Sequence, residues 1–384
     1  MAGPQHKMTT RPSRRAGPSP GNRDAESDGQ HRAEVLAGER GGRTLSEERA
    51  ATRAGRLRSL DALRGLAIVV MLLAGSPFMR EDLPIQLKHP QWHGLRFADL
   101  FFPLFLFVVG IAMTLSRRTG QPRLVLKRVV LLAFLGVALT SLKHQRLAIP
   151  GVLQHIAGSY LLAWLVLRSP RKLQPVLTAG ILVGVWAGFL LWAGAGQEPW
   201  SMEDSLAHSV NEWFFGGFST EGFVQTIASS VTVLGGAFVG RMVKDQRNPP
   251  LLARRLVFHA AWLIAVALLI SIEVPINKRL WTPSFTLLTL GTSCAWFALL
   301  IWVIDIRRHR WWVTPLHELG ANPIAVYVGF ITVRAFVSGY QDVAPQLAPF
   351  GSELAGSMTY ALAWVALAWL FAHLLYRREV FLKL

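Results

Sequence analysis

A chain of 384 residues that is 52% hydrophobic and only 16% charged, with a mean hydropathy of +0.34, is too apolar for an ordinary soluble protein. A formal net charge of +17 would suit a nucleic-acid partner, but the basic residues sit in short loops between apolar runs, where membrane topology places them. The one cysteine, Cys294, lies inside an apolar run, which excludes an intramolecular disulfide and a cysteine metal site and leaves it as a small packing residue.

Residues 1–57 are rich in Arg, Gly, Pro, Ser and Glu and nearly free of aromatic side chains. Such a composition cannot bury a core and predicts a disordered tail. No basic stretch followed by a short apolar run and a small-residue cleavage site appears there, so no signal peptide is expected. From Leu60 on, ten apolar runs of bilayer-spanning length follow, near 61–79, 97–116, 124–142, 151–168, 173–194, 222–242, 251–272, 281–305, 317–338 and 353–375, the fourth being the shortest. Residues 58–384 therefore read as one all-α, polytopic membrane bundle of about ten transmembrane helices.

An even number of spans puts both termini on one side. The loops on that side carry nineteen Arg and Lys residues, within 117–128, 168–172, 241–255, 307–310 and 377–383. The other side carries eight: Arg80, Lys88, Arg96, Lys143, Arg146, Lys278, Arg279 and Arg334. This bias predicts cytoplasmic termini, with the 1–57 tail, in a multi-pass protein of the cytoplasmic (inner) membrane.

The run Lys88–Phe102, KHPQWHGLRFADLFF, stands out on the outer side. It sets His89, Trp92, His93 and Asp99 against the mouth of a very apolar segment, and ionisable groups there mark reaction or transport paths. Neutral imidazole accepts protons near neutral pH, which makes His89 the candidate chemical centre. Asp99 opens the second span, where a carboxylate caps a helix or orients an imidazole; spacing leaves both open. Trp92 suits a pocket wall and the aromatic belt equally well. His89 and His93 stand four residues apart, but Pro90 and Gly94 interrupt a helix and no third ligand is near, so no metal is expected. Asp61 and Arg64 read as a pair at the start of the first span. The outward segments Lys143–Ala157, Ser201–Gly222 and Glu273–Pro283 mix charges with aromatics or prolines, as pocket-lining and interfacial loops both do. No P-loop, dinucleotide glycine fingerprint, His-Glu-x-x-His or Gly-x-Ser-x-Gly is present.

The runs RLRSLDALRGLAIVVMLL, HPQWHGLRFADLFFPLFLFVVG and IPGVLQHIAGSY are followed in order by TEGFVQTI, PINKRLWTPSF, LGANPIAVYVG and YRREVFLKL. Together they resemble the heparan-α-glucosaminide N-acetyltransferase family over residues 56–384. The resemblance implies transfer of acetyl from cytosolic acetyl-CoA to the amino group of a terminal glucosamine across the membrane. It assigns catalysis to the histidine of the first outer loop, which is His89 by motif, and singles out Asp99, Glu221, Lys278 and Asn322. Glu221 and Lys278, with Trp92 and His93, then fall on the acceptor side, and Asn322 on the coenzyme side. Arg or Lys from 117–128 or 241–255 would meet the coenzyme phosphates. Two positions depart from the family pattern: Gly75 stands where an asparagine assists the histidine, beside Ser76, and His155 replaces an arginine. His155 is then a second outer imidazole or a drifted position.

Chemistry at His89 takes one of two routes, as base in a direct transfer or as an acetyl carrier. An O-acyltransferase of an envelope glycan or lipid headgroup is the neighbouring reading. A transporter is the reading from another class, although no internal repeat of the transporter kind is evident. The expected partners are the lipid bilayer and a small-molecule or glycan acceptor, with a homo-oligomer compatible with the resemblance.

Overall fold

The computed structural model describes residues 3, 57–75, 84–144, 146–194, 197–245, 248–336 and 353–382. The chain divides into two units, Met1–Arg56 and Leu57–Leu384, and the described helices all lie in the second. The expectations for the tail, for Ser76, Arg80, Arg247 and Lys383, and for the side chains of Arg117, Lys143 and Arg334 lie outside the described residues.

Among the described residues this unit has twelve α-helices: α1 (Arg58–Gly75), α2 (Phe101–Leu115), α3 (Pro122–His144), α4 (Val152–Leu167), α5 (Gln174–Trp192), α6 (Leu206–Phe215), α7 (Phe223–Asp245), α8 (Pro249–Ile270), α9 (Pro283–Leu300), α10 (Val313–Ala321), α11 (Pro323–Phe336) and α12 (Glu353–Arg377). The same residues form no strand, only an isolated bridge between Gly94 and Asn277. Seven of the described helical segments are long and apolar enough to cross a membrane, and each coincides with a run expected from sequence. Such a chain is a multi-pass membrane protein.

The other three expected spans differ for physical reasons. The first, α1, carries Asp61 and Arg64 in its opening turns. The fourth, α4, has 16 residues, about 24 Å of helix. The ninth is not one helix: Asn322 leaves helical geometry (φ −128°, ψ 53°) and Pro323, which lacks an N–H, starts a new helix. That break corrects the single span 317–338.

Hydropathy is similar along the long helices, yet burial is not. α2, α7 and α9 are mostly buried, whereas α3, α5, α8 and α12 turn most of their apolar residues outward, Phe134 and Leu191 among them. The first set forms the middle of the bundle and the second faces lipid, where apolar side chains need no protein cover. Small residues bring the central helices close. A Cβ on Gly236 would collide with the Phe107 carbonyl, and one on Gly110 with the Val233 carbonyl, so α2 and α7 touch backbone to backbone. Gly65 meets the Leu316 carbonyl in the same way and locks α1 against α10.

Gly236→Leu should therefore lower the thermal unfolding midpoint in detergent, at an overpacking cost of about 1–3 kcal/mol. Gly180→Ala, on α5 with open space around it, should leave the midpoint unchanged or raise it. Equal effects of the two substitutions would contradict the α2–α7 contact.

Candidate active site

A short turn, Phe97–Leu100, leads into α2 and buries Asp99 completely. Each carboxylate oxygen has its own task. Oδ2 accepts the Arg96 backbone N–H at 3.0 Å and so caps the turn. Oδ1 lies 2.6 Å from His89 Nδ1 and 3.1 Å from Lys278 Nζ. The two roles that spacing left open are filled at once. A carboxylate only accepts, so Nδ1 carries a proton, and in the neutral ring the lone pair is then on Nε2. Lys278 Nζ, 3.4 Å from the same Nδ1, also only donates, and the shorter bond to Asp99 sets the tautomer. The His89 side chain is 43% exposed and lines a cavity.

Residues distant in sequence meet here through a knot of loops. Gly94 N donates to Ile276 O at 2.8 Å, and His93 Nδ1 lies 3.2 Å from Asn277 Nδ2. Gly94 has φ +112°, a backbone conformation that favours glycine. Asn277 itself is buried, and its Oδ1 accepts from Leu280 N, which shapes the turn bearing Lys278. Buried Gln225 donates to Ser219 O (3.1 Å) and Arg279 O (3.0 Å), tying the Glu221 loop to the Lys278 loop. Trp92 Nε1 donates to Trp200 O at 2.8 Å, and its ring meets Phe218 edge to face.

The cavity holds about 1250 Å³, more than a drug-sized site needs. Its walls come from α1, α2, α3, α4 and α11. His89, Trp92, Asp99, Glu221 and Lys278 lie along it, with Lys88, Arg96, Arg146 and Arg279. Arg64, Ala112 and Arg128, from the other ends of α1, α2 and α3, line it too.

Not every expected residue arrives there. His93 is exposed, turns to Asn277 and is not part of the cavity wall, so the two histidines of the loop face different partners. Asn322 is fully buried outside the wall; its amide donates to Val380 O (2.9 Å) and accepts from Leu382 N (3.0 Å), holding the C-terminal segment. His155 is buried behind the wall between the Phe102 and Trp281 rings, with Nδ1 3.4 Å from Thr226 Oγ1. Gly75 does line the cavity, and among the described residues a Cβ there would meet Phe330 at 3.7 Å, an ordinary contact. Sequence reasoning did not single out Asn277 or Gln225, although both lie within the motifs that carry the resemblance; nothing local announces a bond across 54 residues.

Burial pushes the Lys278 ammonium below the ordinary lysine range, and Asp99 opposes that shift. Fold and site together define a membrane-embedded protein with a carboxylate-held imidazole at one end of a long internal cavity. The family model for the heparan-alpha-glucosaminide N-acetyltransferase catalytic region matches residues 56–271, and the chain belongs to that family. It is 28% identical to heparan-alpha-glucosaminide N-acetyltransferase of Homo sapiens over 422 aligned positions and 26% to that of Mus musculus over 418. Each alignment covers 86% of this chain but only 60% and 61% of those relatives, so the chain spans about three-fifths of their length. Lys278 and Asn322 lie beyond the residues that the family model matches.

The Lys278 environment makes a test possible without a substrate. Modification of Lys278 by an amine-reactive reagent, followed by peptide mass spectrometry against pH, should have its midpoint below that of an ordinary lysine. Asp99→Asn removes the charge that opposes burial, so the midpoint should fall further. An upward move in that variant would contradict the Asp99–Lys278 pairing.

Proposed function

We propose that the protein transfers acetyl from acetyl-CoA to the amino group of a glucosamine-type sugar, with His89 as the proton acceptor. The observation that carries this reading is the 2.6 Å contact between Nδ1 of His89, a residue of the cavity wall, and the buried Asp99 carboxylate, which leaves Nε2 outside that contact. Family membership supports the reaction class.

The donor is a co-substrate, and the cavity suits it: long, apolar in its middle, and basic at both ends. As the amine nitrogen attacks the thioester carbonyl, an N–C bond forms and the C–S bond breaks. Nε2 takes the proton that the amine loses, and the coenzyme leaves as its thiolate. Asp99 holds the imidazole in the required tautomer and balances the imidazolium that forms. The Lys278 ammonium, beside His89, supplies positive charge for the oxyanion of the tetrahedral intermediate. Glu221, on the same stretch of wall, and Trp92 offer the sugar a hydrogen-bond acceptor and a flat apolar face. Membership of a transferase family favours transfer over transport.

The loop-charge bias supports placing the His89 end outside and the Arg64 end in the cytoplasm, with residues 1–57 as a cytoplasmic tail before the transferase unit. Acetyl then crosses along the cavity while the coenzyme stays on its own side.

Labelled acetyl-CoA, glucosamine and purified protein in detergent test this directly. His89→Ala should reduce transfer about 10²–10⁴-fold, and Asp99→Asn should lower kcat with little change in donor KM. Unchanged transfer by His89→Ala would remove His89 from the chemistry. Wild type that binds coenzyme but acetylates no amino sugar would overturn the acceptor class. Gly75→Asn puts an amide on the cavity wall beside Phe330, with an ordinary contact at Cβ, and should fold normally with raised turnover. Unchanged turnover would mean that the missing asparagine does not limit the rate.

A further inference from the structure

A second, small cavity takes no part in the chemistry at His89. It lies at the C-terminal end of α9, where the helix opens into a wide π-type turn, Ile301–Ile306. Arg307 N donates to Trp302 O at 2.8 Å, and His309 N to Val303 O at 3.0 Å. Such turns often mark functional sites. Arg308 follows with φ +60°, a conformation that residues with a side chain rarely adopt. Arg310 Nε closes the fold-back on Ile304 O at 3.2 Å. The cavity that results holds about 290 Å³ and is walled by Trp302, Val303, Arg307, His309, Trp311 and Trp312.

The protein does not answer the charge of this segment. Arg307, Arg308 and Arg310 stand against Asp305, the one acid within 301–312. Among the described residues Asp305 makes no ion pair with them, and its Oδ2 is buried. The Arg307 guanidinium lies 5.3 Å from the Trp302 ring centre. Among the described residues neither it nor the His309 imidazole has a hydrogen bond. Stacking on an indole steadies a guanidinium and leaves its fork of N–H groups open to an oxyanion. Trp302 and Trp311 are themselves 48% and 86% exposed. A charge bias needs arginines in water, and an aromatic belt needs indoles in the interface; neither needs them to enclose a cavity.

We propose that Trp302, Arg307, His309 and Trp311 bind the headgroup of an acidic phospholipid, in the leaflet on the side of the positive loops. The position favours a lipid. The turn packs against α8, whose Val257 and Phe258 face outward to lipid, so the cavity lies at the border of the lipid-facing surface. Its volume falls just below that of a drug-sized site, which suits a headgroup rather than a whole nucleotide cofactor. The phosphodiester takes the Arg307 fork and the His309 imidazole, in bonds strengthened by charge. The indoles cover the glycerol, and the acyl chains follow the apolar face of α8. Acidic lipids concentrate on the cytoplasmic side, where the loop-charge bias places this segment. The site stands apart from the His89 chemistry and does not depend on it.

Native mass spectrometry of the full chain in detergent, titrated with phosphatidylglycerol and with phosphatidylcholine, tests the site. Wild type should retain one phosphatidylglycerol more tightly than any phosphatidylcholine. Arg307→Gln combined with His309→Gln should weaken that adduct about tenfold or more, the loss of charged hydrogen bonds, and leave phosphatidylcholine unchanged. Trp311→Ala, at an exposed position, should act in the same direction and carries the comparison if the double variant does not fold. Arg171→Gln combined with Lys172→Gln removes charge from another loop of the same side and should leave the adduct within a factor of two. Equal weakening by the two pairs would reduce the effect to surface charge and overturn the proposal, as would equal retention of the two lipids. Excess glycerol phosphate should not displace the lipid; displacement would make this a site for soluble anions and overturn the lipid assignment. In phosphatidylcholine nanodiscs, added phosphatidylglycerol should raise the unfolding midpoint of wild type but not of the Arg307 and His309 variant. The same rise in both would end the proposal.

Discussion

A carboxylate with no exposed surface at the edge of a bilayer is costly unless every oxygen is matched. Asp99 meets that demand with the Arg96 N–H, the His89 imidazole and the Lys278 ammonium. Lys278 must then reach the mouth of α2 from a loop 189 residues beyond His89, and it does so only because that loop is bonded to the His89 loop at Gly94 and Asn277. The charge of Asp99 is thus the constraint around which the His89 and Lys278 loops are arranged. The same constraint holds the imidazole tautomer on which the proposed chemistry depends.

The cavity exists because neighbouring contacts are so tight. Glycines press α2 onto α7 and α1 onto α10 at backbone distance, leaving no freedom for these pairs to slide and fill space between them. The gap bounded by α1, α2, α3, α4 and α11 stays open along much of the bundle. Breaking the ninth span at Asn322 serves the same end. Pro323 starts α11 on the cavity wall, while the Asn322 amide ties down the C-terminal segment beneath it. Asp61 and Arg64, read from sequence as a simple pair at a helix start, prove to join two helices and to present a cation to the cavity.

Much of the architecture was legible in the sequence. Hydropathy summed over a helix length located every long span, because burial in lipid depends on composition more than on a particular partner. Within the site, His89 and Asp99 were legible because ten residues separate them and a turn brings them together. Glu221 and Lys278 were reached through motif resemblance, and the structure sets both on the cavity wall beside that pair. His93 and Asn322 looked equally polar and equally well placed in a motif, yet both spend their hydrogen bonds on neighbouring loops. Polarity alone does not say toward which partner a side chain turns.

The amino-acid order was enough for the all-α membrane bundle and for singling out His89 and Asp99, readings set by local sums and by the residue types of one short stretch, while it left open whether Asp99 caps a helix or orients the imidazole. Folding in three dimensions was needed for the rest: that Lys278 joins that pair, that Gln225 and Asn277 hold the loops together, that one span is broken in two, and that arginines from α1 and α3 share a cavity with His89. These depend on closing loops of tens to hundreds of residues, and such closure is decided by the packing of whole helices, which no window along the chain contains.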